Sequence, residues 1–213
     1  MKTILIPTED HDTMPAVLTT AKLIAQTFDS YMEGFAIRPA VGTYVTVEPV
    51  SSLAISGAFD EDTAREAIGK LDVASVVSAG VRMIGELTGS SAGEKVGAVG
   101  FCWGGAYVNR LAVAAGGKLA AAVPFYGPAP DPAEAVKVKA PMQFHLAGLD
   151  ARVAETAWPW IGALGKEGKL VEAFVYPGVN HAFHNDTSAE RYDKAAATLA
   201  WARTLDFFKR FLA

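Results

Sequence analysis

The stretch G-A-V-G-F-C-W-G-G-A, residues 97–106, carries the strongest structural signal in the chain. Its apolar first half is typical of a strand, which ends at Cys102, the one cysteine in the sequence. Glycines stand two positions before and two positions after that cysteine, at Gly100 and Gly104, with another at Gly105. An apolar helical pattern follows. This layout predicts a nucleophile elbow, a strained strand-to-helix turn in which side chains at the flanking positions would collide with the neighbouring strand and helix.

The lone cysteine admits two interpretations. A single Cys is usually a small buried hydrophobe, and taken alone Cys102 would be read that way. The predicted turn, however, presents the sulfur at the carboxyl edge of a sheet, over a helix N-terminus. The helix dipole there favours the thiolate, which is the reactive form of the side chain. The context therefore favours a nucleophile.

Two further residues follow apparent strands. Asp150 lies just past the apolar run 140–149, and His181 follows the strand-like run 171–176. Taken alone, an aspartate after a strand is often only a helix cap, and a histidine is often structural. Together with Cys102 they have the order nucleophile, acid, histidine, which is the chain order of α/β-hydrolases. In that chemistry the histidine takes the thiol proton and later protonates the leaving group, while the aspartate orients the imidazole.

The last two-thirds of the chain resemble the dienelactone hydrolase family, cysteine-dependent members of the α/β-hydrolase fold. The matching stretches are D-E-D-T-A-R-E (60–66), K-V-G-A-V-G-F-C-W-G-G (95–105), A-A-A-V-P-F-Y-G (120–127), A-G-L-D (147–150), Y-P-G-V-N-H-A-F-H-N-D-T-S (176–188) and L-A-W-A-R-T-L-D-F-F-K (199–209). The resemblance implies the roles already given to Cys102, Asp150 and His181. It also implies hydrolysis of a small lactone or ester.

The first part of the chain, residues 1–67, resembles the universal stress protein family instead. It begins M-K-T-I-L-I-P-T-E-D-H-D and continues as a helical and then a strand-like pattern. We therefore interpret the chain as a mosaic of two families joined between about Pro49 and Ala67, and we favour an engineered junction. An inactive chimera is one alternative function. A nucleotide-binding module is another, although the stress-protein family's glycine-rich phosphate segment is absent.

The mosaic bears on the predicted oxyanion hole. One donor should be the backbone N–H of Trp103, the residue after the nucleophile. The second should come from the loop after the first strand, where Glu9 and Asp10 are the candidate positions. Loss of one such donor costs roughly a hundred- to a thousandfold in rate, and carboxylates near the sulfur disfavour the thiolate. We therefore expect weak activity; the alternative is that this loop is only a solvated turn capping the first helix.

The fold class predicted from alternating strand and helix patterns is α/β, as a single domain over residues 1–213. Residues 1–59 form its stress-protein-like segment and residues 60–213 its hydrolase-like segment. We expect three layers around a doubly wound, mainly parallel sheet of about six strands in the order 2-1-3-4-5-6, like a truncated α/β-hydrolase or a flavodoxin-like fold. The predicted strands are 3–7, 31–37, 96–101, 120–125, 141–147 and 171–176, and the predicted helices are 13–28, 61–87, 104–115, 154–166 and 191–211.

Several polar side chains near strand ends are candidates for contact with a small-molecule substrate: Tyr126, Arg152, His184 and Arg191. A metal site is a weaker interpretation of His181, His184 and Asp186, because two histidines three positions apart without a third strong ligand are poor support for one. We predict neither a metal nor a cofactor. His145 lies within an apolar strand pattern and is predicted to be structural.

Composition argues against several classes of protein. The net charge of −4 and the pI near 5.6 disfavour nucleic-acid binding. No run of about 20 apolar residues predicts a membrane span, and the start does not resemble a signal peptide. A single cysteine fits a reducing cytoplasm. We also hypothesise a homodimer through strand 31–37, an exposed sheet edge unless residues 44–47 cover it.

Overall fold

The computed structural model describes residues 2–7, 30–37, 47–49, 69–90, 95–186 and 188–212. The chain divides into two compact units, Met1–Val76 and Val77–Ala213. Within the described residues, no helix combines the length and the apolar character that crossing a membrane requires.

The first unit contains a small mixed sheet. Strand β1, Lys2–Pro7, pairs in parallel with strand β2, Ser30–Ile37, and β3, Val47–Pro49, pairs antiparallel with the end of β2 at residues 35–37. The end of β2 is therefore covered, and the homodimer through that edge stays a prediction. The predicted helix 13–28 lies outside the described residues.

The second unit is built on a parallel sheet of four strands in sequence order. They are β4, Val96–Phe101; β5, Leu119–Phe125; β6, Met142–Ala147; and β7, Val171–Tyr176. Parallel strands need crossover connections. An α-helix lies between β4 and β5 and another between β6 and β7, whereas a 3₁₀ turn lies between β5 and β6. The last four strands of the predicted order are thus neighbours as expected. The neighbour relation between strands 3–7 and 96–101, and with it the six-strand order, stays a prediction.

Four α-helices are described. They are α1, Val73–Ser90; α2, Trp103–Ala115; α3, Ala151–Lys166; and α4, Lys194–Leu212. Short 3₁₀ turns at Gly116–Lys118 and Pro132–Lys137 lead into β5 and towards β6.

The predicted single helix 61–87 is wrong in its continuity, because Gly69 is helical, residues 70–72 are not, and α1 begins at Val73. Asp72 ends the preceding turn: one of its carboxylate oxygens accepts the N–H of Ala74 (3.1 Å) and the other accepts the hydroxyl of Ser75 (2.5 Å). A carboxylate in this position caps free N–H groups of a helix's first turn. The first part of the predicted helix, residues 61–68, lies outside the described residues.

Two other helix starts also follow aspartate caps. Helix α3 begins three residues earlier than predicted, since Asp150 Oδ1 accepts the N–H of Val153 (3.2 Å). Helix α4 begins three residues later than predicted, since Asp193 Oδ1 accepts the N–H of Ala196 (2.8 Å). In each case the cap outweighs the apolar periodicity from which the boundary was predicted.

The core of the second unit has two sides because strand side chains alternate between the faces of a sheet. On β6, Met142, Phe144 and Leu146 join one apolar cluster with buried residues of helices α1, α2 and α3. The intervening His145 faces the other way and contacts Thr204 of α4. Helix α4 therefore covers the opposite face, and the second unit has three layers.

A close backbone approach ties β5 to the start of α2. A Cβ added to Gly127 would lie 2.2 Å from the backbone nitrogen of Ala106 and 2.3 Å from the carbonyl carbon of Gly105. Contacts that short are not found for real side chains, so only glycine fits here. By contrast, a Cβ added to Gly162 in α3 meets nothing within 4 Å.

These two glycines give a matched pair of substitutions. Gly127→Ala should lower the free energy of unfolding by about 2 kcal/mol or more, because two backbone segments must separate. Gly162→Ala should raise it by up to about 1 kcal/mol, because alanine is the better helix former. Chemical denaturation of both variants measures the difference. A Gly127→Ala protein as stable as the wild type would contradict the close approach.

Candidate active site

Cys102 occupies the turn between β4 and α2 in a strained conformation. Its φ is 54° and its ψ is −114°, in a region that residues with side chains rarely adopt. Its N–H donates to the carbonyl of Phe125 (3.1 Å), and its own carbonyl accepts the N–H of Ala106 (3.1 Å). Cys102 is exposed as a residue, although neighbouring groups partly desolvate its thiol. The elbow geometry predicted from the glycine pattern is therefore present.

The glycines around this turn do not all have the predicted role. A Cβ on Gly100 would lie 2.2 Å from the carbonyl oxygen of Gly104, so this position does require glycine. The prediction for Gly104 is wrong, because a Cβ there would meet nothing within 4 Å. The second tight position is Gly105, whose Cβ would lie 2.4 Å from the carbonyl oxygen of Phe125. The start of α2 therefore packs closely on the end of β5 at Gly105, one residue after the position predicted from the sequence.

Three side chains from three strand ends form a line of hydrogen bonds. Sγ of Cys102 lies 3.0 Å from Nε2 of His181, and Nδ1 of His181 lies 2.5 Å from Oδ2 of Asp150. Asp150 is buried, with 6% of its side chain exposed, and His181 is partly exposed. The aspartate is both the helix cap and the partner of the imidazole, since its other oxygen binds the N–H of Val153.

The line of hydrogen bonds favours charge separation between sulfur and imidazole. The hydrogen bond from His181 lowers the pKa of the Cys102 thiol; burial opposes this, while the N–H of Trp103 and the charge of Arg152 assist. The hydrogen bond with Cys102 raises the pKa of His181 against the effect of burial, and Asp150 adds to the rise. The site therefore stabilises a thiolate beside an imidazolium.

Of the three residues predicted to form the oxyanion hole, the structure describes only Trp103. The backbone N–H of Trp103 is among the groups that lower the pKa of the Cys102 thiol. The ring of Trp103 stacks on Tyr107, with centroids 5.8 Å apart and planes 9° apart. The other two candidates, Glu9 and Asp10, lie outside the described residues, so their part in an oxyanion hole stays a prediction.

The predicted substrate contacts fall in different surroundings. The ring of Tyr126 meets the imidazole of His181 edge to face, with centroids 5.0 Å apart, and its backbone has a φ of 34°. Arg152 is exposed and lies close enough to Cys102 for its charge to favour the thiolate. His184 packs among aromatic rings, 5.1 Å from Phe101, and burial lowers its pKa. A substrate contact for His184 stays a prediction.

A cleft of about 370 Å³ opens beside the imidazole. It is lined by Leu149, Asp150, Asn180, His181, Glu190 and Arg191. Arg191 was considered from sequence, whereas Leu149, Asn180 and Glu190 were missed. The signal for two of them was available, because Leu149 precedes Asp150 and Asn180 precedes His181 directly in the chain. Among the described residues, no group of three or more His, Cys, Asp or Glu side chains is arranged to hold a metal ion.

Comparison with known proteins identifies the family of the chain. Residues 57–212, more than half of the chain, match the sequence profile of the dienelactone hydrolase family. The chain belongs to the dienelactone hydrolase family. A curated relative, the carboxymethylenebutenolidase of Pseudomonas putida, is 36% identical over 115 residues, which cover 53% of this chain and 48% of that protein. The chain spans about half the length of the curated relatives it matches.

Solved structures of this family share the fold. A dienelactone hydrolase-like promiscuous phosphotriesterase from metagenomic libraries superposes with a TM-score of 0.68 at 20% identity, covering 100% of this chain and 87% of its own. The dienelactone hydrolase of Anabaena variabilis gives a TM-score of 0.65 at 18% identity with the same two coverages. Identities this low show the α/β fold alone.

The lowered pKa of the Cys102 thiol predicts unusual thiol reactivity. Because the pKa of the thiol is lowered in the folded protein, alkylation should stay fast below the ordinary thiol pKa of about 8.5 and be lost only as the pH falls through the lowered value. His181→Gln should move the profile upward, since the largest cause of the shift is removed.

The rate of iodoacetamide labelling against pH, followed by mass spectrometry, measures this profile. With one cysteine in the chain, every label reports Cys102. The same chain unfolded in denaturant is the internal control. A native profile that coincides with the unfolded one would contradict the charge separation.

Proposed function

We propose that this protein is a cysteine-dependent hydrolase of small carboxylic esters or lactones, of the dienelactone hydrolase kind. Cys102 is the nucleophile, His181 the general base and acid, and Asp150 the residue that orients the imidazole. The observation that carries the proposal is the continuous line from Sγ through the imidazole to the carboxylate, at 3.0 Å and 2.5 Å. Separations of this size allow direct proton transfer between thiol and imidazole.

The reaction follows from that line. His181 takes the thiol proton, and the thiolate of Cys102 attacks the carbonyl carbon, so that the π electrons move to the carbonyl oxygen. The oxyanion is stabilised by the N–H of Trp103. When the carbonyl re-forms, the carbon–oxygen bond to the leaving alkoxide breaks and His181 returns its proton to that oxygen. A thioester remains on Cys102.

Hydrolysis of the thioester reuses the same groups. Water gives a proton to Nε2 of His181 as its oxygen attacks the thioester carbonyl. The tetrahedral intermediate then expels the sulfur, which is reprotonated or stays a thiolate paired with the imidazolium. Through both halves the carboxylate of Asp150 keeps Nδ1 protonated, so that Nε2 is the atom that accepts and returns the proton.

We predict that a second oxyanion donor comes from the loop that contains Glu9 and Asp10. We expect a slow enzyme, since one missing donor costs roughly a hundred- to a thousandfold. The residues nearest the reacting groups favour a small substrate: Tyr126 lies against the imidazole, and Arg152 is close to the sulfur. The name of the relative from Pseudomonas putida, a carboxymethylenebutenolidase, supports a lactone. A thiolate nucleophile also favours a reducing compartment such as the cytoplasm.

If residues 1–67 derive from the universal stress protein family, as predicted from the sequence, two other functions are open: an inactive chimera and a nucleotide-binding module. The family match begins at residue 57, so the mosaic origin stays a prediction. Turnover separates the hydrolase from the chimera. A rise in Tm on addition of ATP, without turnover of esters, would favour the binding module.

Turnover of p-nitrophenyl acetate should require the thiol. Cys102→Ala should lower kcat/KM by about three orders of magnitude or more, because no other nucleophile takes its place in the line. The measurement is the release of p-nitrophenolate under conditions where uncatalysed hydrolysis is subtracted. Equal rates for Cys102→Ala and wild type would reject the proposed nucleophile.

The carboxylate can be tested without loss of its helix cap. Asp150→Asn keeps a side-chain oxygen for the N–H of Val153 and removes the charge beside His181; kcat should fall by about two to four orders of magnitude. Asp131 is the matched control, since it caps a 3₁₀ turn through the N–H of Ala133 at 2.9 Å and lies in a different loop. Asp131→Asn should leave kcat unchanged. Similar losses in both variants would mean that the charge of any capping carboxylate affects the rate, and would reject the orienting role of Asp150.

A further inference from the structure

A second histidine, His145 in the middle of β6, is completely buried among polar side chains. Its Nε2 lies 3.0 Å from Oε1 of Gln143 and 3.0 Å from the hydroxyl of Thr204, and its Nδ1 lies 2.8 Å from the hydroxyl of Tyr176. The residue takes no part in the proposed reaction. Buried polar clusters are costly unless every member is satisfied, so the direction of each hydrogen bond matters.

The partners on the Nε2 side fix where the proton sits. Gln143 donates from its amide nitrogen to Glu172 (2.8 Å), so its oxygen faces His145 as an acceptor. The hydroxyl of Thr204 donates to the carbonyl of Ala200 (3.0 Å), so its oxygen is also an acceptor towards the imidazole. Two acceptors on one side require a hydrogen on Nε2.

The Nδ1 side completes a neutral imidazole. Tyr176 accepts a hydrogen bond from Arg203 (3.2 Å), and its own hydroxyl hydrogen is then free to donate to Nδ1 of His145. Burial, with help from the positive charge of Arg203, lowers the pKa of His145 to about 3. The side chain therefore stays neutral, in the Nε2–H tautomer, with both ring nitrogens satisfied.

His145 touches the elements that carry the nucleophile. Its ring stacks on Phe125 with centroids 4.2 Å apart, and the carbonyl of Phe125 holds the N–H of Cys102 at 3.1 Å. The carbonyl of His145 accepts the N–H of Tyr126 at 2.8 Å, and the Tyr126 ring lies against His181. His145 therefore contacts Phe125, which binds the strained turn, and Tyr126, which packs on the imidazole of His181.

Tyr176, the partner of Nδ1, reaches the other two loops. Its carbonyl accepts the N–H of Gly148 at 2.8 Å, two residues before Asp150. Its ring packs on Phe183, with centroids 4.9 Å apart, two residues after His181. A shift of the Tyr176 side chain would therefore displace the loops that carry Asp150 and His181.

We propose that His145, through its hydrogen bond with Tyr176, is a positioning residue that keeps the Cys102, Asp150 and His181 loops in register. The inference rests on the proposed function, because it concerns the geometry of the same three residues. The neutral Nε2–H tautomer suits this role, since a charged or rotated ring would leave a buried partner unsatisfied. Small displacements of reacting groups lower the rate by large factors. A small shift of the three loops should therefore lower kcat before it affects other properties.

Tyr176→Phe tests the proposal with the smallest change, because it removes only the hydroxyl and keeps the ring against Phe183. We expect kcat for p-nitrophenyl acetate to fall about tenfold with KM within about twofold. The pKa of the Cys102 thiol, measured by alkylation, should rise towards its ordinary value. Thr204→Val removes an acceptor at Nε2 of His145 and keeps the side-chain shape. It should also lower kcat and raise the pKa of the Cys102 thiol.

Val138→Ala is the control for a simple loss of stability. Val138 is fully buried in the apolar cluster on the other side of the sheet. This variant should lower Tm without changing kcat or the thiol pKa at temperatures well below Tm. If Tyr176→Phe and Thr204→Val behave like Val138→Ala, the positioning role is overturned and His145 is structural alone.

The outcome for the wild type separates this inference from the proposed function. A wild-type thiol that titrates at its ordinary pKa, with no turnover, would overturn the proposed function. A lowered thiol pKa in the wild type that stays equally low in Tyr176→Phe, with unchanged kcat, would overturn the positioning role alone.

Discussion

The site depends on a backbone conformation that Cys102 would not adopt by itself. A φ of 54° costs of the order of 1–3 kcal/mol for a residue with a side chain, and surrounding contacts must hold it. Here they are the N–H bond to Phe125, the carbonyl bond from Ala106 and the bare backbone of Gly100. Relaxation of φ would rotate the sulfur away from the imidazole. The hydrogen-bond line therefore exists because β5 and α2 hold the turn from both sides.

The pKa values of two histidines of the same unit shift in opposite directions, although burial lowers both. His181 has a carboxylate on one nitrogen and a thiol on the other, and these partners raise its pKa although desolvation opposes them. His145 has only neutral partners in contact and the positive charge of Arg203 nearby, so burial lowers its pKa to about 3. One ring is poised to carry a proton, whereas the other is held neutral. The difference lies in the charge of the neighbours, not in depth alone.

Local sequence was sufficient for the parts of the site that depend on local geometry. The elbow at Cys102 and the positions of Asp150 and His181 after strands follow from short patterns, and parallel strands bring their carboxyl ends to one edge. The tight contact of Gly105 with Gly127 was not predictable, because it joins segments that only the folded sheet brings together. The predictions of helix starts were wrong where an aspartate cap, rather than the apolar periodicity, sets the first residue of the helix, as at Asp72. The partners of His145 were missed for the same reason as the glycine contact, since they come from β6, β7 and α4.

The double engagement of Asp150 has a consequence for the full reaction cycle. In the proposed mechanism His181 alternates between cation and neutral ring, so the buried carboxylate loses its ionic partner once in every cycle. The N–H of Val153, at the positive end of the α3 dipole, stays on the other oxygen throughout. Helix α3 thus acts as a constant counter-charge, and the carboxylate is never left in the protein interior without compensation.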